Sequence, residues 1–278
     1  MEILRAVDEM VAWSRDERRA GRTIGFVPTM GYLHRGHASL MDLARPLADR
    51  LVVSIYVNPL QFGPNEDLSR YPRDPDGDAH LCSQRGVDIV FMPENLYPPG
   101  FATTVTVSGV TARWDGVARP GHFDGVTTAV ARLLMVVGSD VAVFGEKDWQ
   151  QLATIRQMVR DLGMPVQLVP GPLVRDHDGL ALSSRNKYLS PADRQRALSL
   201  SRALRAVVDA GTVDVSALEE LGRSHLTVDA LDYLAVVDAV TLEPIDQVDR
   251  PARVLVAARV GGTRLIDNMA VGPELSWI

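Results

Sequence analysis

The chain is 278 residues long with 46% hydrophobic side chains, enough to fill the core of one large domain or two of moderate size. Its formal charge of -6 argues against a nucleic-acid partner, which favours a basic surface. A single cysteine, Cys82, excludes an intrachain disulfide and suits a reducing, cytoplasmic setting, and no apolar run reaches membrane-spanning length.

The first ten residues mix acids into their apolar positions, so they read as an amphipathic helix rather than a signal peptide. Residues Thr23 to Val27 are β-prone, Pro28 and Gly31 break the run, and Ala38 to Ala44 have helical periodicity. His34, Gly36 and His37 therefore stand at a helix entrance, where unpaired N–H groups and the helix dipole favour anions. Two imidazoles three residues apart, beside a glycine that lets the backbone approach closely, suit the oxygens of a nucleoside triphosphate. Two other readings stand at this point: a metal half-site, for which no third ligand has convincing spacing, and a turn whose histidines merely cap the helix.

Leu51 to Val57, Asp88 to Met92 and Val141 to Phe144 are candidate buried strands with helical stretches between them. Such alternation predicts an α/β fold, a parallel sheet covered by helices, with its site beyond the carboxyl ends of the strands. The Pro170-Gly171-Pro172 cluster interrupts the pattern, and the predicted domains are 1–173 and 174–278. Past it, Ser190 caps a helix that has Pro191 in its first turn and ends near Gly211. Asp232 to Asp238 and Arg253 to Val260 read as strands, the latter turning at Gly261-Gly262 into Thr263 to Ile266. This predicts a smaller C-terminal α+β domain.

Six segments, in order, resemble the pantothenate synthetases (pantoate–β-alanine ligases) of the nucleotidylyltransferase superfamily. They are Val27-Pro28-Thr29-Met30-Gly31 with the following His34-Arg35-Gly36-His37, Tyr56-Val57-Asn58-Pro59-Leu60-Gln61-Phe62, Tyr71-Pro72-Arg73, Arg119-Pro120-Gly121-His122-Phe123, Phe144-Gly145-Glu146-Lys147-Asp148-Trp149-Gln150-Gln151, and Leu182-Ser183-Ser184-Arg185-Asn186. The resemblance implies a Rossmann-like ATP- and pantoate-binding domain with a C-terminal lid domain, and a cytoplasmic homodimer. It implies ATP-dependent condensation of (R)-pantoate with β-alanine to pantothenate, AMP and pyrophosphate, through a pantoyl adenylate.

By the same resemblance, ATP contacts Met30, Gly31, Tyr32, Leu33, His34, Arg35, Gly36 and His37, then Gly145, Glu146, Lys147 and Asp148, then Val174, Leu182, Ser183, Ser184 and Arg185. His34, His37, Lys147 and Arg185 carry the catalysis, since attack of a carboxylate on the α-phosphate brings anions together and needs cationic or N–H donors around them. Gln61 and Gln151 bind pantoate, and Gln61 also lies beside β-alanine; an amide donates and accepts without a charge that competes with the substrate carboxylate. Pro28, Met30 and Phe144 read equally as apolar neighbours of pantoate and as core.

Mg2+ accompanies ATP in this expectation, with its protein ligands unassigned. Asp76 and Asp78 are carboxylates that suit it, although two carboxylates in a polar loop more often face solvent or cap a helix. Gly77 stands where relatives commonly carry an acid, which thins any acidic cluster, and Trp149 replaces a usual tyrosine whose phenol accepts as well as donates. His122 and Asn58-Pro59 read as turn-shaping residues. Three rivals fit less well. A nucleotidylyltransferase acting on phosphopantetheine or nicotinate mononucleotide lacks the two glutamines, a class I aminoacyl-tRNA synthetase needs a Lys-Met-Ser-Lys-like loop and a basic tRNA surface, and a non-catalytic ATP sensor predicts erosion of His37, Lys147 or Arg185.

Overall fold

Runs that are apolar on both faces become strands buried between helices. In the computed structural model, which describes residues 1–64 and 66–275, β1 (Glu2–Leu4), β2 (Ile24–Thr29), β3 (Arg50–Ile55), β4 (Ile89–Phe91), β5 (Val141–Gly145) and β6 (Gln167–Gly171) form one parallel sheet in the order β1-β4-β3-β2-β5-β6. The connections carry α1 (Val7–Arg19), α2 (Arg35–Ala44), α3 (Pro75–Gln84), the short α4 (Asp115–Ala118), α5 (His122–Val137) and α6 (Trp149–Asp161). The chain clusters into two units. The first holds this sheet and comprises Met1–Ser108, Arg119–Glu146 and Thr154–Pro172; the second comprises Gly109–Ala118, Lys147–Ala153 and Leu173–Ile278.

Two expectations need correction. The opening residues are not one helix: Glu2–Leu4 pairs with Ile89–Phe91 as an edge strand, and the helix starts only at Val7, where the Glu9 carboxylate accepts from Ala6 N–H at 3.2 Å. The Pro170-Gly171 pair does not interrupt the sheet but ends it, because an edge strand tolerates a residue without an N–H.

Packing of α2 on this sheet sets the position of the histidine turn. Its Leu40, Met41 and Ala44 bury against Val27, Leu51, Val53, Val90 and Val143. Leu40 also lies over two glycines: a Cβ on Gly171 would fall 2.1 Å from Leu40 Cδ2, and one on Gly145 would fall 3.7 Å from Cδ1. Missing side chains at the ends of β5 and β6 thus let the helix approach the backbone.

In the second unit, α7 (Pro191–Asp209), α8 (Val215–Ser224), β7 (Ala230–Asp238), β8 (Ala252–Val260) and β9 (Thr263–Val271) form a three-stranded antiparallel sheet with helices. Ser190 Oγ accepts from Asp193 N–H at 3.1 Å as the cap of α7, and Gly261 and Gly262, both at positive φ, make the tight β8–β9 turn. Alternation divides the sheet faces. Leu234, Val236, Val254, Val256, Leu265 and Val271 pack with Ala197, Leu200, Leu204 and Leu218 of the helices.

The opposite face takes the two sequence-distant segments through polar ties. Arg264 of β9 reaches Asp115 at 2.5 Å and Asp232 at 2.7 Å, Tyr233 donates to Asp115 at 2.8 Å, and Trp149 lies under the Arg253 guanidinium at 3.5 Å. Burial works against the charge on Arg264, but the Asp115 and Asp232 carboxylates outweigh it and hold its pKa above the ordinary arginine value. None of the described helices is long and apolar enough to cross a membrane.

Candidate active site

The histidine turn is the end of β2 bent sharply into α2. Thr29 Oγ accepts from Gly31 N–H at 3.2 Å and donates to Ser54 O at 2.7 Å, while Gly31 and Tyr32 take φ values of 85° and 52°. For Tyr32 that left-handed conformation is costly, and a clamp holds it. The buried Asp78 carboxylate of α3 accepts from Tyr32 N–H at 2.8 Å and Leu33 N–H at 2.6 Å. Burial raises the Asp78 pKa, the two N–H bonds pull it down, and the Asp74 charge adds to the rise. Burial, with a contribution from Asp78, pushes the nearby Cys82 thiol up to about 12, so this cysteine is a neutral core residue.

Both imidazoles turn their Nδ1 atoms inward. Gly36 N–H donates to His34 Nδ1 at 3.1 Å, and His34 N–H donates to His37 Nδ1 at 3.2 Å. The rings lie 4.1 Å apart. An accepting Nδ1 requires the tautomer that carries its proton on Nε2, so Nε2 is the donor nitrogen of each ring. The capping reading and the anion-binding reading are therefore compatible: one nitrogen caps, the other remains a donor.

Gln61 ends a 3₁₀ turn, Pro59–Gln61, that starts after β3. Asn58, buried, organises it: its Oδ1 accepts from Leu60 N–H at 3.2 Å and Tyr97 O–H at 2.8 Å, and its Nδ2 donates to Gln61 Oε1 and Gly125 O, both at 3.0 Å. With Oε1 engaged by Asn58, Gln61 donates from Nε2 to Met30 Sδ at 3.2 Å. His122 donates from Nδ1 to the Gln61 carbonyl at 2.9 Å, and its Nε2 accepts from Arg119 at 2.8 Å. Arg119 also grips Glu66 with two bonds of 2.6 and 2.7 Å; burial alone would raise the Glu66 pKa, and this pairing brings it below the ordinary value.

The first unit thus assembles Met30, Gly31, Tyr32, Leu33, His34, Arg35, Gly36, His37 and Gln61, with Gly145 and Glu146 at the end of β5. Phe144 is buried there as core. The second unit holds Lys147, Asp148 and Gln151, and the strip from Val174 to Arg185. In that strip Leu182 N–H donates to Val174 O at 3.0 Å, so these two residues face each other across an antiparallel bridge between Arg175 and Ala181. Its tip is fixed by Arg194, which bonds Asp176 and Asp178 at 2.8 Å each. Beyond it Ser183 caps the turn Ser184–Tyr188 by accepting from Arg185 N–H at 3.3 Å.

A family model described as pantoate-beta-alanine ligase matches residues 2–270. The chain belongs to that family. Pantothenate synthetases from Heliobacterium modesticaldum and Rhizorhabdus wittichii are each 50% identical to it, over 279 and 280 residues, with 98% of this chain and 99% of theirs covered. The solved pantothenate synthetase of Thermus thermophilus has a TM-score of 0.93 at 48% identity, covering 98% of this chain and 100% of that one. The pantoate-beta-alanine ligase of Francisella tularensis, solved in complex with beta-gamma ATP and beta-alanine, has a TM-score of 0.81 at 32% identity over 97% of each chain. The chain is accordingly a ligase with a Rossmann-like parallel sheet.

Within this ligase fold, Asp78 and Asn58 carry more than the sequence reading gave them. Asp78 neither faces solvent nor caps α3; Asp74 is the cap, accepting from Gly77 N–H at 3.1 Å. A Cβ at position 77 would fall 2.3 Å from Asp74 Oδ2, so the glycine there permits this cap. Asn58 shapes its turn as expected and also orients the Gln61 amide. The indole N–H of Trp149 gives its bond to Ala239 O at 2.9 Å.

Proposed function

We propose that the chain condenses (R)-pantoate with β-alanine in two steps at the residues named above. In the first, a pantoate carboxylate oxygen forms a bond to the ATP α-phosphorus, the bond from that phosphorus to the bridging oxygen breaks, and pyrophosphate leaves. In the second, the β-alanine amine attacks the acyl carbon, loses a proton, and AMP leaves. His34 and His37 donate from Nε2 to phosphate oxygens, Lys147 and Arg185 supply positive charge, and Gln61 and Gln151 hold the acid. None acts as a covalent nucleophile; each stabilises charge that grows during the transfer.

The observation that carries this reading is the pair of inward-facing Nδ1 atoms at the start of α2. They fix the tautomer with the proton on Nε2 in two imidazoles at the positive end of a helix dipole, an arrangement suited to phosphate. A resident metal fits these residues poorly: Asp78 spends both oxygens on backbone N–H groups, and no cluster of three metal-ligating side chains occurs among the described residues. Mg2+ enters with ATP as part of the substrate in this reading.

The test is isotope exchange between pyrophosphate and ATP. Exchange that requires pantoate but not β-alanine, with AMP release awaiting the amine, is the expected result. Exchange independent of pantoate would overturn the reading.

A further inference from the structure

Lys147 sits in a 3₁₀ turn, Glu146–Asp148, that joins the end of β5 directly to the start of α6. A buried residue of β9 ties its backbone from outside those two elements. Asn268 donates from Nδ2 to the Lys147 carbonyl at 2.9 Å, across 121 residues of sequence. Its Oδ1 accepts from Arg253 Nε at 2.7 Å, and Arg253, on the neighbouring strand, lies over the ring of Trp149. Trp149 is buried in turn and tied to Ala239 O.

The Arg253 bond decides which way the Asn268 amide points. Arginine only donates, so Oδ1 must face it; a flipped amide would set two donors against each other and leave the Lys147 carbonyl facing an oxygen. Arg253 also stacks on the residue two positions past Lys147. One guanidinium thus fixes both ends of a short clamp, the orientation of Asn268 at one and the indole of Trp149 at the other. A buried asparagine on a sheet face is costly unless such partners satisfy it.

We propose that Asn268 is a positioning residue for Lys147, oriented by Arg253, and that it sets the lysine backbone from which the ammonium group reaches the phosphates. The proposal rests on the reading that Lys147 serves adenylation. Its test is a double-mutant cycle on pantoate-dependent pyrophosphate exchange using Asn268→Ala, Lys147→Ala and the double variant, alongside timed tryptic cleavage after Lys147.

Asn268→Ala should lower the exchange kcat by roughly tenfold to a hundredfold with the pantoate KM within about twofold, as expected for a misplaced group. Added to Lys147→Ala, it should cost no more than about a further twofold, because the group it positions is gone. Tryptic cleavage after Lys147 should speed up in Asn268→Ala. Equal losses in both backgrounds, or unchanged rate and cleavage, would overturn the proposal. If the alanine variant fails to fold, Asn268→Asp keeps an acceptor for Arg253 while deleting the donor, and full activity with unchanged cleavage in that variant would overturn it equally. Wild-type protein without pantoate-dependent exchange would instead overturn the reading of Lys147, and cleavage after Lys147 would still decide whether Asn268 holds the turn.

Discussion

Replacing Gly125 with alanine should damage the Gln61 site although general helix preferences predict a gain. Gly125 lies inside α5, where glycine to alanine ordinarily stabilises by about 0.5–1 kcal/mol. A Cβ at this position would stand 2.2 Å from Leu60 O, 2.4 Å from Leu60 C and 2.6 Å from Gln61 N. All three are backbone atoms, so no side-chain rotation relieves the overlap. Restoring ordinary contact requires the helix and the Pro59–Gln61 turn to part by about 1 Å, an overpacking that typically costs 1–3 kcal/mol. The same movement stretches the Asn58 bond to the Gly125 carbonyl, and with it the orientation of the Gln61 amide. Net stability should fall by about 1 kcal/mol, and the efficiency of pantoate-dependent exchange should fall by up to about a hundredfold. Urea unfolding and pantoate saturation curves read the two effects. A Gly125→Ala protein that is more stable than wild type and saturates with pantoate unchanged would refute the close packing of α5 on the Gln61 turn.

Three further outcomes are expected. His37→Ala should cost adenylation about 3 kcal/mol through the lost donor and stability about 1 kcal/mol through the lost cap; His37→Gln, which restores a capping acceptor at the same helix position, should recover the stability in thermal melts but not the exchange rate. Gln61→Ala and Gln151→Ala should each weaken pantoate use by roughly 0.5–1.5 kcal/mol while leaving calorimetric ATP affinity nearly intact; collapse of ATP affinity instead would assign them to the nucleotide. Asp176, held at about 2 against an ordinary 3.8 by the His177 N–H, the His177 ring and Arg194, should contribute stability that is complete above 3.8 and lost as pH falls toward 2. Unfolding midpoints for Asp176→Asn should therefore vary less steeply with pH over that window than those of wild type, and parallel profiles would remove the assignment.

The elements legible in the sequence were those whose signal is local. The apolar runs of β2, β3 and β5, the Ser190-Pro191 start of α7 and the Gly261-Gly262 turn each announce themselves within a few residues. The edge strands were not legible: β1 is three residues long, and β6 carries a proline that only its edge position allows. The histidine turn was legible because glycine, histidine and a following helical period occur together. Its clamp was not, since Asp78 lies 46 residues from Tyr32 and a carboxylate early in a helix reads first as a cap.

The same limit explains why segments 109–118 and 147–153 were not assigned to the C-terminal sheet. Alternation in β9 sets Arg264 and Asn268, with Ile266 and Ala270, on the face opposite Leu265 and Val271, and charged or amide side chains on a sheet face away from the apolar core ordinarily turn to water. Here Arg264 and Asn268 both find partners within the protein. Asn268 is buried, and Arg264 meets the carboxylates of Asp232 and Asp115, the second of which also accepts from Tyr233. The pattern of residue types is the same for a wet face and for one that binds polar segments. What separates them is whether complementary groups exist elsewhere in the chain. Asp115, the Lys147 carbonyl and the Trp149 ring are those groups, each more than 100 residues away from its partner on the sheet. A polar sheet face of this kind costs desolvation unless every tie forms, so it selects one register of the incoming segments where an apolar face would tolerate several. For a turn that presents Lys147, that selectivity is the useful property.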